Sequence, residues 1–365
     1  MSRRIVFAGS VVCAALAGFV WLRYFMRDPY ANDFRVFYFS AHVGVTDGWA
    51  HIYDLDRVRA AAAWLGGKDA VINSQSSYVN TPLFVWVLSP LTALPLAAAY
   101  VVWAAVSLAA FVATWRVAAP WSGLDRVSLL LYSIPFWPVF VSLWMGQPSI
   151  VTVAFAALAW WFLAKERPWI AGALLAVATV LKPQEVFLVP IVLLASGRTR
   201  PFLGWLAAGA LFAALFVISL GPAGVQSYIV EIQYTESDPV HRLLTPALVF
   251  GPGAVTIAIE ILFVAAALVA ARRQAASLET VCAIGLTASL MASPHVHETD
   301  FTAALLAAWL VLRSGSPSRE RRWLLGAGVV AAEIVMVGQP LPLLLWQPAW
   351  LAHLGWRRSR PGVPR

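Results

Sequence analysis

The sequence predicts an all-α, polytopic membrane protein, and three observations predict it. The 365 residues are 60% hydrophobic and only 12% charged, with a mean hydropathy of +0.74. No soluble domain carries that balance. Apolar runs recur along the whole chain. The basic residues, which give a net charge of +8, fall in short clusters between those runs, at Arg3-Arg4, residues 165–167, 198–200, Arg272-Arg273, 313–322 and Arg357-Arg358. That spacing is the positive-inside pattern of a membrane protein, so no nucleic-acid partner is expected. Cys13 and Cys282 both lie inside apolar runs, which leaves neither a disulfide framework nor a zinc site.

A single integral membrane domain is expected over residues 1–365. The first run, residues 5–24, follows Arg3-Arg4 and contains a small-residue step at Ala15-Leu16-Ala17. It continues through Phe19, Val20, Trp21 and Leu22, so it reads as an uncleaved anchor rather than a removable signal. Residues 26–80 form the longest polar segment. Within it Phe34, Phe37, Tyr38 and Ala41 recur at helical spacing and predict a short interfacial helix. A second amphipathic piece, residues 57–65, follows Tyr53-Asp54-Leu55-Asp56.

Residues 81–356 predict a multi-span bundle. Apolar stretches occur at 81–118, 127–145, 149–164, 169–181, 186–195, 202–220, 254–271, 278–292, 301–312, 323–337 and 341–354. Several fall short of the ~20 residues of a straight span, so broken or tilted helices are expected, with ten to thirteen spans in all. With Arg3-Arg4 in the cytoplasm, the loop 26–80 is outside, and so are the turn at Lys182-Pro183-Gln184, residues 221–245 and residues 293–300. The count fails between Asn80 and Lys165, where four apolar pieces occupy a stretch that must cross an odd number of times. One piece within 81–118, interrupted by Pro82, Pro90 and Pro95, is re-entrant or fused to its neighbour. The side of Gly146-Gln147-Pro148 therefore stays open.

Three outward patches carry ionisable groups. Asp33, at the start of the first loop helix, is either an N-cap or a catalytic carboxylate, and Asn32 would cap equally well. Asp28, Asp47, Asp54, Asp56 and Asp69 read as solvated loop carboxylates. Lys182 is a lone cation after an apolar run and before a proline. It either snorkels to the interface or binds an anionic ligand such as a phosphate. Residues 293–300 place His295, His297, Glu298 and Asp300 in one turn. The spacing matches no zinc signature, so hydrogen bonding around a substrate is expected there, and no metal. The chain has no GxSxG elbow, P-loop or dinucleotide fingerprint. An outward-facing site has no nucleoside triphosphate supply, so an activated donor must arrive through the lipid, as a polyprenyl-phosphate sugar does. A lipid-linked-saccharide flippase would share many of these features, but no internal duplication is visible.

Several motifs occur in order: Asn32-Asp33-Phe34 with Tyr53-Asp54, then Asn80-Thr81-Pro82-Leu83 leading to Ser89-Pro90-Leu91. Gly146-Gln147, Lys182-Pro183-Gln184, Ser293-Pro294-His295 and Asp300-Phe301 follow. Over residues 33–301 the chain resembles glycosyltransferase family 87, membrane enzymes with the GT-C fold. The resemblance implies an inverting transfer of a sugar from a polyprenyl-phosphate donor to a lipid or glycan hydroxyl, outside the plasma membrane. It also implies membrane lipids as partners and no cofactor beyond the lipid-linked sugar. Asp33 matches the general base of such families. Lys182 would offset the donor phosphate, and Gln147, Gln184, His295, His297 and Asp300 would contact substrate. The better-studied members are mannosyltransferases, without fixing mannose here. The family's closing motif often carries aromatics and Tyr-Asp where this chain has Glu298-Thr299-Asp300, so no family role carries over to Glu298 or Thr299.

Overall fold

The computed structural model describes residues 2–27, 32–66, 78–237, 242–315 and 318–356. Asp28, Asp69 and Arg357-Arg358 lie outside the described residues, as does the side chain of Asn32. Among the described residues every regular element is helical. α1 (Arg3–Arg27) is followed by α2 (Asn32–Thr46) and α3 (Leu55–Gly66) in the first loop. Then come α4 (Pro82–Leu88), α5 (Leu96–Ala118), α6 (Gly123–Ser133), α7 (Trp137–Met145), α8 (Ser149–Ala164) and α9 (Pro168–Leu181). α10 (Pro183–Val186), α11 (Leu188–Ala195), α12 (Thr199–Ser237), α13 (Ala247–Phe250) and α14 (Ala254–Arg273) lead to α15 (Leu278–Met291), α16 (Thr302–Arg313), α17 (Arg319–Ile334) and α18 (Leu341–Trp356).

Four helical stretches are long and apolar enough to cross a membrane: Arg3–Tyr24, Leu96–Ala118, Thr199–Thr235 and Ala254–Arg273. α6 and α7 make a fifth if they count as one span bent by 56°. The bend follows from Pro135, which sits in the break between the two helices, and the first amide of α7, at Trp137, donates to Glu333 Oε1 at 3.0 Å. The other apolar helices are short: the 16 residues of α8 and 14 of α9 rise only about 24 and 21 Å against a hydrocarbon core of roughly 30 Å. A count of ten to thirteen crossings therefore depends on such short helices, shielded by their neighbours. They are the core of the molecule, since α15 is buried from Thr280 to Met291 against α11 and α16.

The prolines of residues 81–118 divide that stretch. α4 and the 3-10 turn Ser89–Ala93 form a short piece, and after Pro95 the chain starts the 23-residue α5. With the short piece turning back, the three passes of α5, α6–α7 and α8 meet the odd crossing number.

Side-chain contacts divide the bundle into two ends. Arg3 pairs with Asp125 at 3.3 Å, Arg313 donates to Ala119 O at 3.1 Å and stacks over Trp160, and Arg198 donates to Ala275 O at 2.8 Å. These basic clusters share one end. α1 and the α6–α7 pair leave it side by side, Tyr132 meeting Val6 and Tyr24 meeting Trp144. Both arrive at the opposite end, where α2, the α9–α10 break and the turn Glu298–Phe301 also lie.

That end has its own core, built on aromatics. Phe37 meets Tyr78 and Phe84 edge-on, and Tyr53 packs on Tyr78 and Tyr228. α2 is more enclosed than an interfacial helix: Phe34 and every residue from Val36 to Ala41 are buried, and only Asp33, Arg35, His42 and the last turn are partly or fully open. α3 keeps the amphipathic pattern, with Val58 and Ala62 buried and Trp64 79% exposed. Asp54, expected as a solvated carboxylate, caps α3 by accepting from the Asp56 and Arg57 amides at 3.1 and 3.2 Å, and it pairs with Arg57. Asp47 is also tied to Arg57, at 3.3 Å, while Asp56 is 96% exposed. Residues 221–237, expected as part of an outer loop, continue as helix beyond a break at Gly221 and bring Tyr228 onto Tyr53.

Candidate active site

Asp33 is the second residue of α2, one position inside the helix rather than at its cap. Its Oδ2 accepts from Gln147 Nε2 at 2.5 Å. This contact settles which end Gly146-Gln147 reaches: it is the Asp33 end. Three backbone features aim Gln147 there. Gly146 adopts a left-handed conformation (φ 69°), and Gln147 N donates to Ser142 O at 3.0 Å, closing α7 with a Schellman turn. The freed carbonyls of α7 are held by α5, Tyr100 donating to Leu143 O and Trp144 O and Trp103 to Gly146 O. Phe34 lies directly on Gly146, where a Cβ would come within 2.8 Å of its ring. Gly146→Ala is therefore expected to cost about 1–2 kcal/mol in backbone strain and to push Phe34, and with it Asp33, away from Gln147. A several-fold loss of transfer activity with a lowered melting temperature would be the measured sign.

Asp33 keeps part of its surface open. Its surroundings are nevertheless poor in water, and this burial raises its pKa above the ordinary carboxylate value, against the opposing pull of the Gln147 hydrogen bond and the Lys182 charge.

Lys182 stands at the break between α9 and α10. Pro183 disfavours helical geometry for the residue before it, and Lys182 is extended (φ −156°, ψ 87°), which turns its side chain inward. It does not snorkel. At 2% exposure it is the one buried cation among the described residues. Its ammonium donates to Ser149 Oγ at 2.7 Å and Thr299 Oγ1 at 2.9 Å, and lies 2.5 Å from Asp300 Oδ1 and 3.7 Å from Glu185 Oε1.

Asp300 is wholly buried, and its Oδ2 accepts from His297 N at 2.7 Å while the His297 side chain accepts from the Asp300 amide. A ring nitrogen that accepts is unprotonated, so that bond fixes the tautomer of His297. Burial alone would raise the Asp300 pKa, but the Lys182 ammonium and His297 outweigh it and hold the group below the ordinary value. The turn is anchored on α7, with Thr302 Oγ1 donating to Thr299 O at 2.8 Å and lying 3.3 Å from Ser142 Oγ.

Beside this network opens a cavity of about 400 Å³ whose walls include Asn80, Thr81, Gln184, Tyr228, Ser293 and His295. Thr81 Oγ1 donates to Val180 O at 2.5 Å, which fixes the cavity wall to the last turn before Lys182. Asp33, Gln147 and Lys182 do not line it. The structure thus joins the predicted residues in three groups: Asp33 with Gln147, Lys182 with Asp300 and His297, and Gln184 with His295. His295 links the last two by an edge contact with His297, ring centres 4.8 Å apart. Ser149, Thr299 and Glu185 were not anticipated. Single hydroxyls carry no sequence signal, but Glu185, three residues after Lys182 at the start of an apolar run, did offer one. Among the described residues no group of three His, Cys, Asp or Glu side chains is arranged to hold a metal.

Fold and site together define a multi-pass helical membrane protein with an ionisable cluster at the end of the bundle away from its basic clusters. The sequence profile of glycosyltransferase family 87 matches residues 78–294, more than half of the chain, and the chain belongs to that family; it is a glycosyltransferase. The match contains Gln147, Lys182 and Gln184, and it begins after Asp33 and ends before His295, His297 and Asp300. No curated protein and no solved structure shows significant similarity to the chain.

Proposed function

We propose that this glycosyltransferase moves a sugar from a polyprenyl-phosphate donor to a hydroxyl of a lipid or glycan, with inversion, at the extracytoplasmic face of the plasma membrane. The observation that carries the reading is the Asp33 carboxylate: partly open, held by Gln147 at 2.5 Å, and at the end of the bundle opposite the basic clusters. By the positive-inside rule the basic end is cytoplasmic, so Asp33 faces outward, where lipid-linked sugars rather than nucleotide sugars are at hand. In the step, the acceptor oxygen bonds to the anomeric carbon as the bond from that carbon to the phosphate oxygen breaks. Asp33 takes the hydroxyl proton, and the electron pair leaves on polyprenyl phosphate. A single displacement needs one base and no second carboxylate as nucleophile. Lys182 offsets the donor phosphate, while Gln184 and His295, in the cavity wall, meet the acceptor.

A raised pKa suits a base working near neutral pH. Activity should rise with pH through the Asp33 pKa, so the acid limb lies above the ~3.9 of a free aspartate. The Gln147 hydrogen bond lowers that pKa, and Gln147→Leu is expected to shift the limb to higher pH. An unmoved limb would detach Gln147 from the base. The deciding experiment incubates purified protein with radiolabelled polyprenyl-phosphate sugars, mannose first, and a cell-envelope lipid extract. A labelled lipid or glycan is the expected product. Transfer from a nucleotide sugar and from no polyprenyl donor would overturn the reading.

A further inference from the structure

Glu185 has no part in that scheme, yet it is as deeply enclosed as any residue of the site. It lies on α10, is 0% exposed, and its Oε1 is 3.7 Å from Lys182 Nζ. As a carboxylate it makes no hydrogen bond of good geometry through either oxygen, although the Ser149 hydroxyl lies beside it. Lys182 directs two of its protons to Ser149 and Thr299, and its ammonium lies 2.5 Å from Asp300 Oδ1.

The elements packed on α10 are α8, α9, α15 and the turn Glu298–Phe301. The charged groups they turn toward Glu185 are Lys182 and Asp300, with the Ser149 hydroxyl beside them. α15 carries Cys282, which feels Arg198 and Glu279 toward the basic end, and Glu298 on the turn feels Asp300. Among the described residues Lys182 is the one cation that acts on both fully buried carboxyl groups, and His297 acts on Asp300 alone. One uncompensated charge would remain in a dry interior, and a proton removes it.

We infer that Glu185 is a carboxylic acid whose O–H reaches Asp300, and that it is a positioning residue which takes over Asp300 when Lys182 turns to the donor phosphate. The inference rests on the polyprenyl-phosphate reading for its trigger. It answers a difficulty in that reading, since a lysine held 2.5 Å from Asp300 must release its partner to meet a phosphate. Without Glu185, that release would strand a buried anion. With it, Asp300 exchanges an ammonium for a carboxylic acid donor, and no proton enters or leaves the cluster. When polyprenyl phosphate departs, Lys182 returns to Asp300.

The test uses the full chain in detergent, a short-chain polyprenyl phosphate as probe, and two variants. Glu185→Gln keeps an N–H donor for Asp300 and cannot ionise, whereas Glu185→Leu keeps the volume and removes the donor. Infrared difference spectra of the wild type should show the C=O stretch of a protonated carboxyl that is missing in Glu185→Gln and shifts when the probe is added. Glu185→Gln should bind the probe within threefold of wild type at neutral pH and keep that affinity into the alkaline range. Wild-type binding should weaken at the alkaline pH where the band fades, and Glu185→Leu should bind at least tenfold more weakly. A wild type without that band, or a folded Glu185→Leu that binds like wild type, would overturn the inference. If Glu185→Leu does not fold, the band and the pH dependence of Glu185→Gln still decide. A wild type that shows the band and ignores the probe would overturn the donor class proposed above and the exchange with it, while upholding the buried acid.

Discussion

Asp33→Asn is expected to lower the rate of sugar transfer by about 10²–10⁴-fold, the usual contribution of a positioned general base. The fold should not notice. Asparagine has the same shape, its Oδ1 still accepts from Gln147, and Phe34 and the residues from Val36 to Ala41 that bury α2 are untouched. Asparagine is also as good an N-cap as aspartate, so a residue that served only as a cap would leave both rate and melting temperature at wild-type values. Initial rates with saturating donor and acceptor, measured beside thermal unfolding, separate the two. A variant that unfolds normally and transfers sugar at a near-normal rate would remove Asp33 from the chemistry.

The second large effect is on stability. Lys182→Met removes the cation that lies 2.5 Å from Asp300 Oδ1, and breaking a buried pair in this way costs about 3–5 kcal/mol. Lys182→Met combined with Asp300→Asn should recover much of that loss, because no unpaired charge is left. The pH dependence changes sign as well. In the wild type the Asp300 pKa is held below its ordinary value, so its stabilising contribution is present above the unfolded pKa and is lost as pH falls through the folded one. Without Lys182, burial raises that pKa above the unfolded value of ~3.9. Stability should then fall as pH rises above that value, so melting curves between about pH 4 and 8 will show a downward slope that Asp300 does not give the wild type. The wild type's own Asp300 slope has the opposite sign and lies below about pH 4. Parallel slopes would mean that Lys182 is not the counter-ion of Asp300. The same substitution takes away a charge that lowers the Asp33 pKa, so the acid limb of any residual activity should move upward.

Much of this was legible in the sequence, because hydropathy and basic clusters act locally. The first span, the amphipathic piece at α3, the proline-broken stretch before α5 and the break at Lys182-Pro183 each follow from a few adjacent residues. Their convergence on one end follows from charge counting alone. What was not legible depends on contacts across long sequence separations. Phe34 faces Gly146, and Tyr53 faces Tyr228, so a helix that reads as interfacial is instead enclosed by partners that no local pattern reveals. Glu185 escaped notice for a related reason. A carboxylate beside a lysine in sequence looks like an ordinary surface pair until burial shows that the lysine is already taken. The end that Gly146-Gln147 reaches rests on the Asp33 to Gln147 contact, across 114 positions.

The aromatic core that encloses α2 has a consequence for how this enzyme can be altered. Tyr53 stacks on Tyr78 and leans on Tyr228, and Gly224 lies so near Ala50 that a Cβ would come within 2.9 Å of its Cα. The segment bearing Asp33 and the far half of α12 are therefore one module, although nearly half of the chain separates them. Grafting the first loop of a relative onto this bundle should misplace Asp33 unless residues 221–235 are transplanted with it. In a family diversified by loop exchange, these two segments would have to travel together.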